Sequence, residues 1–236
     1  MPKTIRCLML VEGPYDRQRL SVLINLFDNS KLVLVPYGTD AFTSKDYYLE
    51  YKDKISNVLS KEKTNELSDF NEIVHVCDTD GCFIDDSFVI EDKTIKHIIY
   101  ESNCIKVVDR PSVVQHRINK RNNIDKILKE NIFKIYYNST NIDHAYDNTQ
   151  NPSDIQKKQK AIKMYDTYKN DCCAFLERLV KLCPTIVGYA ESWGYIRKDF
   201  NSLKPCTNIL FFILAHHECL KDEYKNKLLD LLNKKE

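Results

Sequence analysis

No apolar run in this chain is long enough to cross a bilayer. The longest, Ile209 to Ala215, falls far short of the ~20 residues a membrane helix needs. No membrane association is therefore expected. No secretory leader is expected either: MPKTIRCLMLVEG holds too few apolar residues ahead of Glu12 for a signal h-region. The chain has nine cysteines but no Cys-x-x-Cys pair, the usual mark of structural zinc. Their number is odd, and Cys7 and Cys77 lie inside apolar runs. They read as buried free thiols rather than a disulfide framework, which fits a reducing, cytoplasmic setting. There is no charge of one sign to spare. With 35 basic and 34 acidic residues the net charge is +1, so any polyanion contact has to come from clustering on one face. There is no internal repeat, no low-complexity tract and no Walker A motif.

What is present alternates between strand and helix. Ile5 to Val11, Leu32 to Pro36 and Ile73 to Cys77 are continuous apolar runs, the pattern of strands buried on both faces. Helical spacing follows the first run over Tyr15 to Phe27 and the second over Ser44 to Lys63. Ile95 to Tyr100 and Ile105 to Val108 are short strand candidates, Ser112 to Glu130 reads as a helix, and Ile132 to Tyr137 reads as a further strand. Two long helices are expected at the end, over Asp154 to Leu182 and Thr207 to Leu232, after a loop or linker from Asp147 to Asp154. The expected fold is α/β: a parallel sheet flanked by helices over residues 1–150, with a helical extension over residues 151–236.

In such a sheet the ligand crevice lies at the carboxyl ends of the strands. Two acidic groups sit there. Glu12 follows the first strand in LVEG, and Asp78 and Asp80 follow the third in HVCDTDG. On neighbouring strands the three carboxylates converge, repel one another and raise each other's pKa unless a cation lies between them. An oxygen-preferring dication, Mg2+ or Mn2+, resolves that conflict. In extended Asp-x-Asp both side chains point the same way. Gly13 and Gly81, each following an acid, allow unusual backbone angles and a close ligand.

A strand ending in Glu-Gly and, about 65 residues on, a strand ending in Asp-x-Asp-Gly resemble the Toprim domain. Topoisomerases, bacterial primases, small ribosomal-RNA maturases and nucleases of the OLD (overcoming lysogenization defect) group share that domain. The resemblance implies a catalytic and metal-binding role for Glu12, Asp78 and Asp80. The opening Val11-Glu12-Gly13-Pro14-Tyr15-Asp16 is similar to that of OLD-like and small standalone members, which makes Asp16 a candidate outer metal ligand. The implied activity is a metal-dependent nuclease, of a kind proposed for bacterial anti-phage defence. The alternative is a non-catalytic or partner-activated subunit that binds nucleic acid or nucleotide. Without a Walker A motif, an ATPase would be a separate protein partner. The C-terminal helices are candidates for homodimerisation.

Other residues carry two readings each. Arg117, Lys120 and Arg121, with His116 nearby, are candidate nucleic-acid contacts or the solvated side of a helix. Lys157, Lys158, Lys160 and Lys163 pose the same choice. Asp85 and Asp86 read as a solvated loop or as help for a second metal. Asn138 to Asn141, Asp143 and His144 are candidate phosphate contacts or an ordinary capped loop. Trp193 reads as packing before base stacking.

Overall fold

The computed structural model describes residues 3–38, 53, 55–56, 59–60, 66–131, 133–149 and 151–235. Four parallel strands form its centre: β1 (Ile5–Val11), β2 (Leu32–Gly38), β3 (Glu72–Asp78) and β7 (Lys134–Asn138), in the order β2-β1-β3-β7. Alternation along β1 explains why the run is apolar throughout. Cys7, Met9 and Val11 enter one core, while Leu8 and Leu10 enter another on the opposite face with Tyr37, Ile55 and Leu59. Both faces are covered, as a parallel sheet requires. Most of the helix expected over Ser44 to Lys63 lies outside the described residues; those described within it are helical, and Ile55 and Leu59 are buried.

A smaller sheet is inserted between β3 and β7. It contains β4 (Val89–Glu91), β5 (Ile99–Tyr100) and β6 (Ile105–Val107), with β6 in the middle. The chain then enters the long helix α2 (Arg110–Glu130), which crosses back to β7. Asp109 caps its start by accepting from the Ser112 N–H at 3.1 Å, and Asn131, left-handed at φ 50°, ends it. The first helix, α1 (Pro14–Leu20), leads from β1 and continues as a 3-10 turn through Leu26. The expected single helix over Tyr15 to Phe27 is therefore two segments.

After β7 come α3 (Ile142–Asp147), α4 (Asp154–Tyr168), α5 (Cys172–Leu182), α6 (Tyr189–Ile196), α7 (Leu210–Ala215) and α8 (Asp222–Asn233). The helix expected over Asp154 to Leu182 is broken at Asn170–Asp171. The Asp171 carboxylate accepts from the Ala174 N–H at 2.9 Å and starts α5 afresh. The expected helix over Thr207 to Leu232 is likewise α7, a short 3-10 turn and α8. These helices do not stand apart from the sheet. Met164, Phe175, Leu179, Ile209, Phe212 and Leu228 share one buried core with Met9, Val11, Val74 and Tyr136. Packing thus continues across residue 150, the expected domain boundary. No described helix is long and apolar enough to cross a membrane.

Candidate metal-binding site

Strand order places the site. The chain goes from β1 to β2 on one side, then returns to lay β3 on the other side of β1. The connections above β1 and β3 therefore diverge and leave a crevice at the carboxyl edge. Val11 pairs with Val76, which brings Glu12 and Asp78 side by side. The Asp78 N–H donates to Glu12 Oε1 at 3.1 Å. Glu12, Asp16, Asp78 and Asp80 all line one cavity of about 1330 Å3 at this edge. The structure thus assembles all four acids that the sequence singles out.

The loop after β3 is strained where it carries Asp80. Asp80 is left-handed at φ 48°, followed by Gly81 at φ 62°. Thr140, after β7, is also left-handed at φ 53°, an uncommon state for a β-branched residue. The two turns hold each other: the Asp80 N–H donates to the Thr140 carbonyl at 2.8 Å, and the Thr140 N–H donates to Thr79 Oγ1 at 3.1 Å. Such strain persists only where the surroundings fix it, and it concentrates at functional sites.

Helix α2 supplies the cation. The Lys120 side chain is 2% exposed, and its ammonium donates to Glu12 Oε1 at 3.2 Å, to the Asp78 carbonyl at 2.9 Å and to Asp80 Oδ2. Burial opposes its charge, but Asp80 and Glu12 outweigh burial and hold it protonated, well above the usual lysine range. The expectation that Arg117 and Lys120 present an outward phosphate-binding face needs correction. Arg117 is 1% exposed and donates to Asp86 Oδ1 at 2.6 Å and to the carbonyls of Gly81 and Ile84 at 3.0 and 2.7 Å. Arg121 is partly exposed and donates to the Cys82 carbonyl at 3.1 Å and to Asp86 at 3.4 Å. The cationic face of α2 binds the protein's own acidic loop. Asp86 is accordingly a loop anchor, while Asp85 is exposed and caps the 3-10 turn at Asp86–Phe88.

The acids show the stress of their proximity. Burial, then Glu12, Asp16 and Asp80, push Asp78 well above the usual carboxylate range, and Lys120 offsets only part of this. Burial likewise raises Glu12 to about 7 against the pull of Lys120. Burial pushes Asp16 up to about 6, against the pull of Arg19.

Several neighbours carried no decisive signal in sequence. Asn138, 2% exposed, donates through Nδ2 to Asp78 Oδ1 at 3.1 Å. The Tyr100 hydroxyl reaches Asp80 Oδ1 at 3.4 Å. Lys96, His97, His116 and Lys157 line the same cavity. Of the residues after β7, Asn141 and Asp143 line it too. Asn141 caps α3 by accepting from the His144 N–H at 2.9 Å, and Asp143 pairs with the buried Arg19. Ser139, Thr140 and His144 are buried; burial lowers His144 to about 4, so it is neutral at pH 7. Trp193 packs against Tyr137 at 4.8 Å. His216 pairs with Glu72 at 2.8 Å at the opposite edge of the sheet.

The donor chemistry fits a hard dication. Glu12, Asp78 and Asp80 offer only oxygen, and once all three are ionised they exceed the single Lys120 ammonium by two negative charges. Among the described residues, no three or more His, Cys, Asp or Glu side chains are placed so that together they could hold a metal ion as they stand. The acids are gathered at the cavity but stand open to it. Comparison with protein-family models, curated proteins and solved structures finds no match to this chain.

Proposed function

We propose that this chain is a Toprim-like, Mg2+- or Mn2+-dependent phosphodiesterase acting on nucleic acid. The observation that carries the reading is the meeting of Glu12, Asp78 and Asp80 at the switch point between β1 and β3, with one lysine among them. Glu12, Asp78 and Asp80 would hold the ion, with Asp16 beside them at the cavity wall. When bound, the ion supplies charge stabilisation at a phosphate oxygen and a water of lowered pKa. Glu12 would also assist as acid or base. Asn138 fixes the orientation of Asp78, and the strained turn fixes Asp80. Lys96, His116 and Lys157 bring donors to the cavity mouth for a phosphate backbone. An antiviral setting belongs to this same proposal.

A second reading draws on Lys120. Its ammonium already rests on Glu12 and Asp80, the arrangement expected of a subunit that waits for a partner, such as an ATPase, or that binds nucleic acid or nucleotide without cutting it. One experiment separates the two. Purified protein is incubated with labelled DNA and RNA, single- and double-stranded, in Mg2+, Mn2+ or EDTA, beside Asp78→Ala and Glu12→Gln. Cleavage that needs metal and falls at least ~100-fold in both variants supports the enzyme. Retained nucleic-acid binding without cleavage in any metal supports the subunit.

A further inference from the structure

We infer that Lys120 is a permanent cation of this site, standing where a second metal ion would bridge Glu12 and Asp80, so that the site takes one divalent ion rather than two. The inference rests on the metal-dependent reading above and deepens it.

The carboxylate oxygens divide into two sets. One oxygen of each acid is already committed to the protein. Glu12 Oε1 accepts from Lys120 at 3.2 Å and from the Asp78 N–H at 3.1 Å. Asp80 Oδ2 accepts from Lys120, and Asp78 Oδ1 accepts from Asn138 at 3.1 Å. The other oxygen of Glu12 and the other oxygen of Asp78 have no donor among the described residues, and Asp80 Oδ1 has only the long contact from Tyr100 at 3.4 Å. One uncommitted oxygen per acid is a ligand set for a single ion that keeps its remaining positions for water and substrate.

Charge gives the same count. One dication brings Glu12, Asp78, Asp80 and Lys120 to neutrality, whereas a second leaves uncompensated positive charge in a largely buried cluster. Asp16, the remaining acid, lies in the field of Arg19 and Lys157, which offsets part of the cost of its burial. Lys120 is also not free to leave. It projects from the middle of α2, is 2% exposed and has Arg117 anchored one turn before it.

Calorimetric titration of Mn2+ into the full chain, with electron paramagnetic resonance on the same samples, tests this. The expected result is one Mn2+ per chain with the spectrum of an isolated ion, unchanged in stoichiometry in Lys120→Arg. In Lys120→Met, a second Mn2+ is expected beside the first. Two ions in the wild type with a spin-coupled spectrum would overturn the inference while leaving the metal reading standing. No binding at millimolar Mn2+ would overturn both. A folded Lys120→Met chain that still takes one ion would also overturn it; should that variant fail to fold, the wild type and Lys120→Arg decide.

Discussion

At the scale of single residues, the site looks costly to the fold that carries it. Asp78 is buried among Glu12, Asp16 and Asp80, and its carboxylate is driven toward the neutral form. Asn has the same shape, keeps an oxygen for the Asn138 amide and carries no charge. Asp78→Asn is therefore expected to stabilise the metal-free chain by about 1 kcal/mol, a rise of roughly 2–4 °C in melting temperature at this size. The same change should remove metal-dependent activity. A lower melting temperature would show that Asp78 serves the fold instead. Gly81 carries the opposite kind of constraint. Its φ is 62°, and a Cβ there would meet Leu203 at 2.8 Å and Ile105 at 2.9 Å. Gly81→Ala should destabilise by about 1–3 kcal/mol, read as a lower denaturation midpoint at unchanged slope. Lys120 shows how a residue can be found for the wrong reason. Its place in a basic cluster suggests an outward phosphate contact, yet Val113, Arg117, Lys120, Ile124 and Ile127 recur at intervals of four and three. That spacing puts Arg117 and Lys120 on the inward stripe of α2. Charge alone does not reveal which side chains turn inward; spacing does.

At the scale of elements, the strands were the most legible part of the sequence. β1 and β3 match their apolar runs within a residue or so because a doubly covered strand has no polar face to confuse its limits. The C-terminal helices were less legible because their apolar residues continue across the breaks, and the caps that divide them, such as Asp171, are short-range signals. Helix α2 matters most to the site, since Arg117 ties the loop between β3 and β4 to it through Asp86, Gly81 and Ile84. Arg117→Met removes these bonds, leaving the Gly81 carbonyl with only the Ile84 N–H at 3.3 Å and Asp86 with only Arg121 at 3.4 Å among its cationic partners. A loss of about 3–5 kcal/mol is expected, with faster amide hydrogen exchange confined first to residues 79–86. Uniform exchange across the sheet would contradict a local role. At the other edge, His216 clamps α7 to β3 through Glu72. Burial opposes its charge, but Glu72 and the Phe212 carbonyl outweigh burial and raise its pKa above the ordinary value. A raised histidine contributes stability that is fully present below the unfolded pKa, ~6.5, and is lost as pH climbs through the folded value. The stability gap between wild type and His216→Gln should therefore be widest near pH 6 and shrink toward pH 9 in urea unfolding. A gap independent of pH would mean that the imidazole acts through packing alone.

At the scale of the whole molecule, the parallel sheet sets the chemistry and the helices set the access. The order β2-β1-β3-β7 opens a crevice above β1 and β3. The small sheet and α2 wall it on one side with Tyr100, Val113 and His116, and α4 walls it on the other with Lys157. The helices after residue 150 also complete the core beneath the sheet through Phe175, Leu179 and Phe212, so removing them should expose that core as well as open the cavity. How the acids meet was readable in sequence from strand ends alone; how their charge is shared with Lys120 was not, because that depends on where a distant helix lies. The account's central claim is that Glu12, Asp78 and Asp80 form a divalent-metal site. Anomalous diffraction from crystals soaked in millimolar Mn2+ tests it most directly. The account predicts a peak at the carboxyl edge between β1 and β3, within coordination distance of Asp78 and absent in Asp78→Ala. A clean map at that edge, with Lys120 still seated on Glu12 and Asp80, would contradict it.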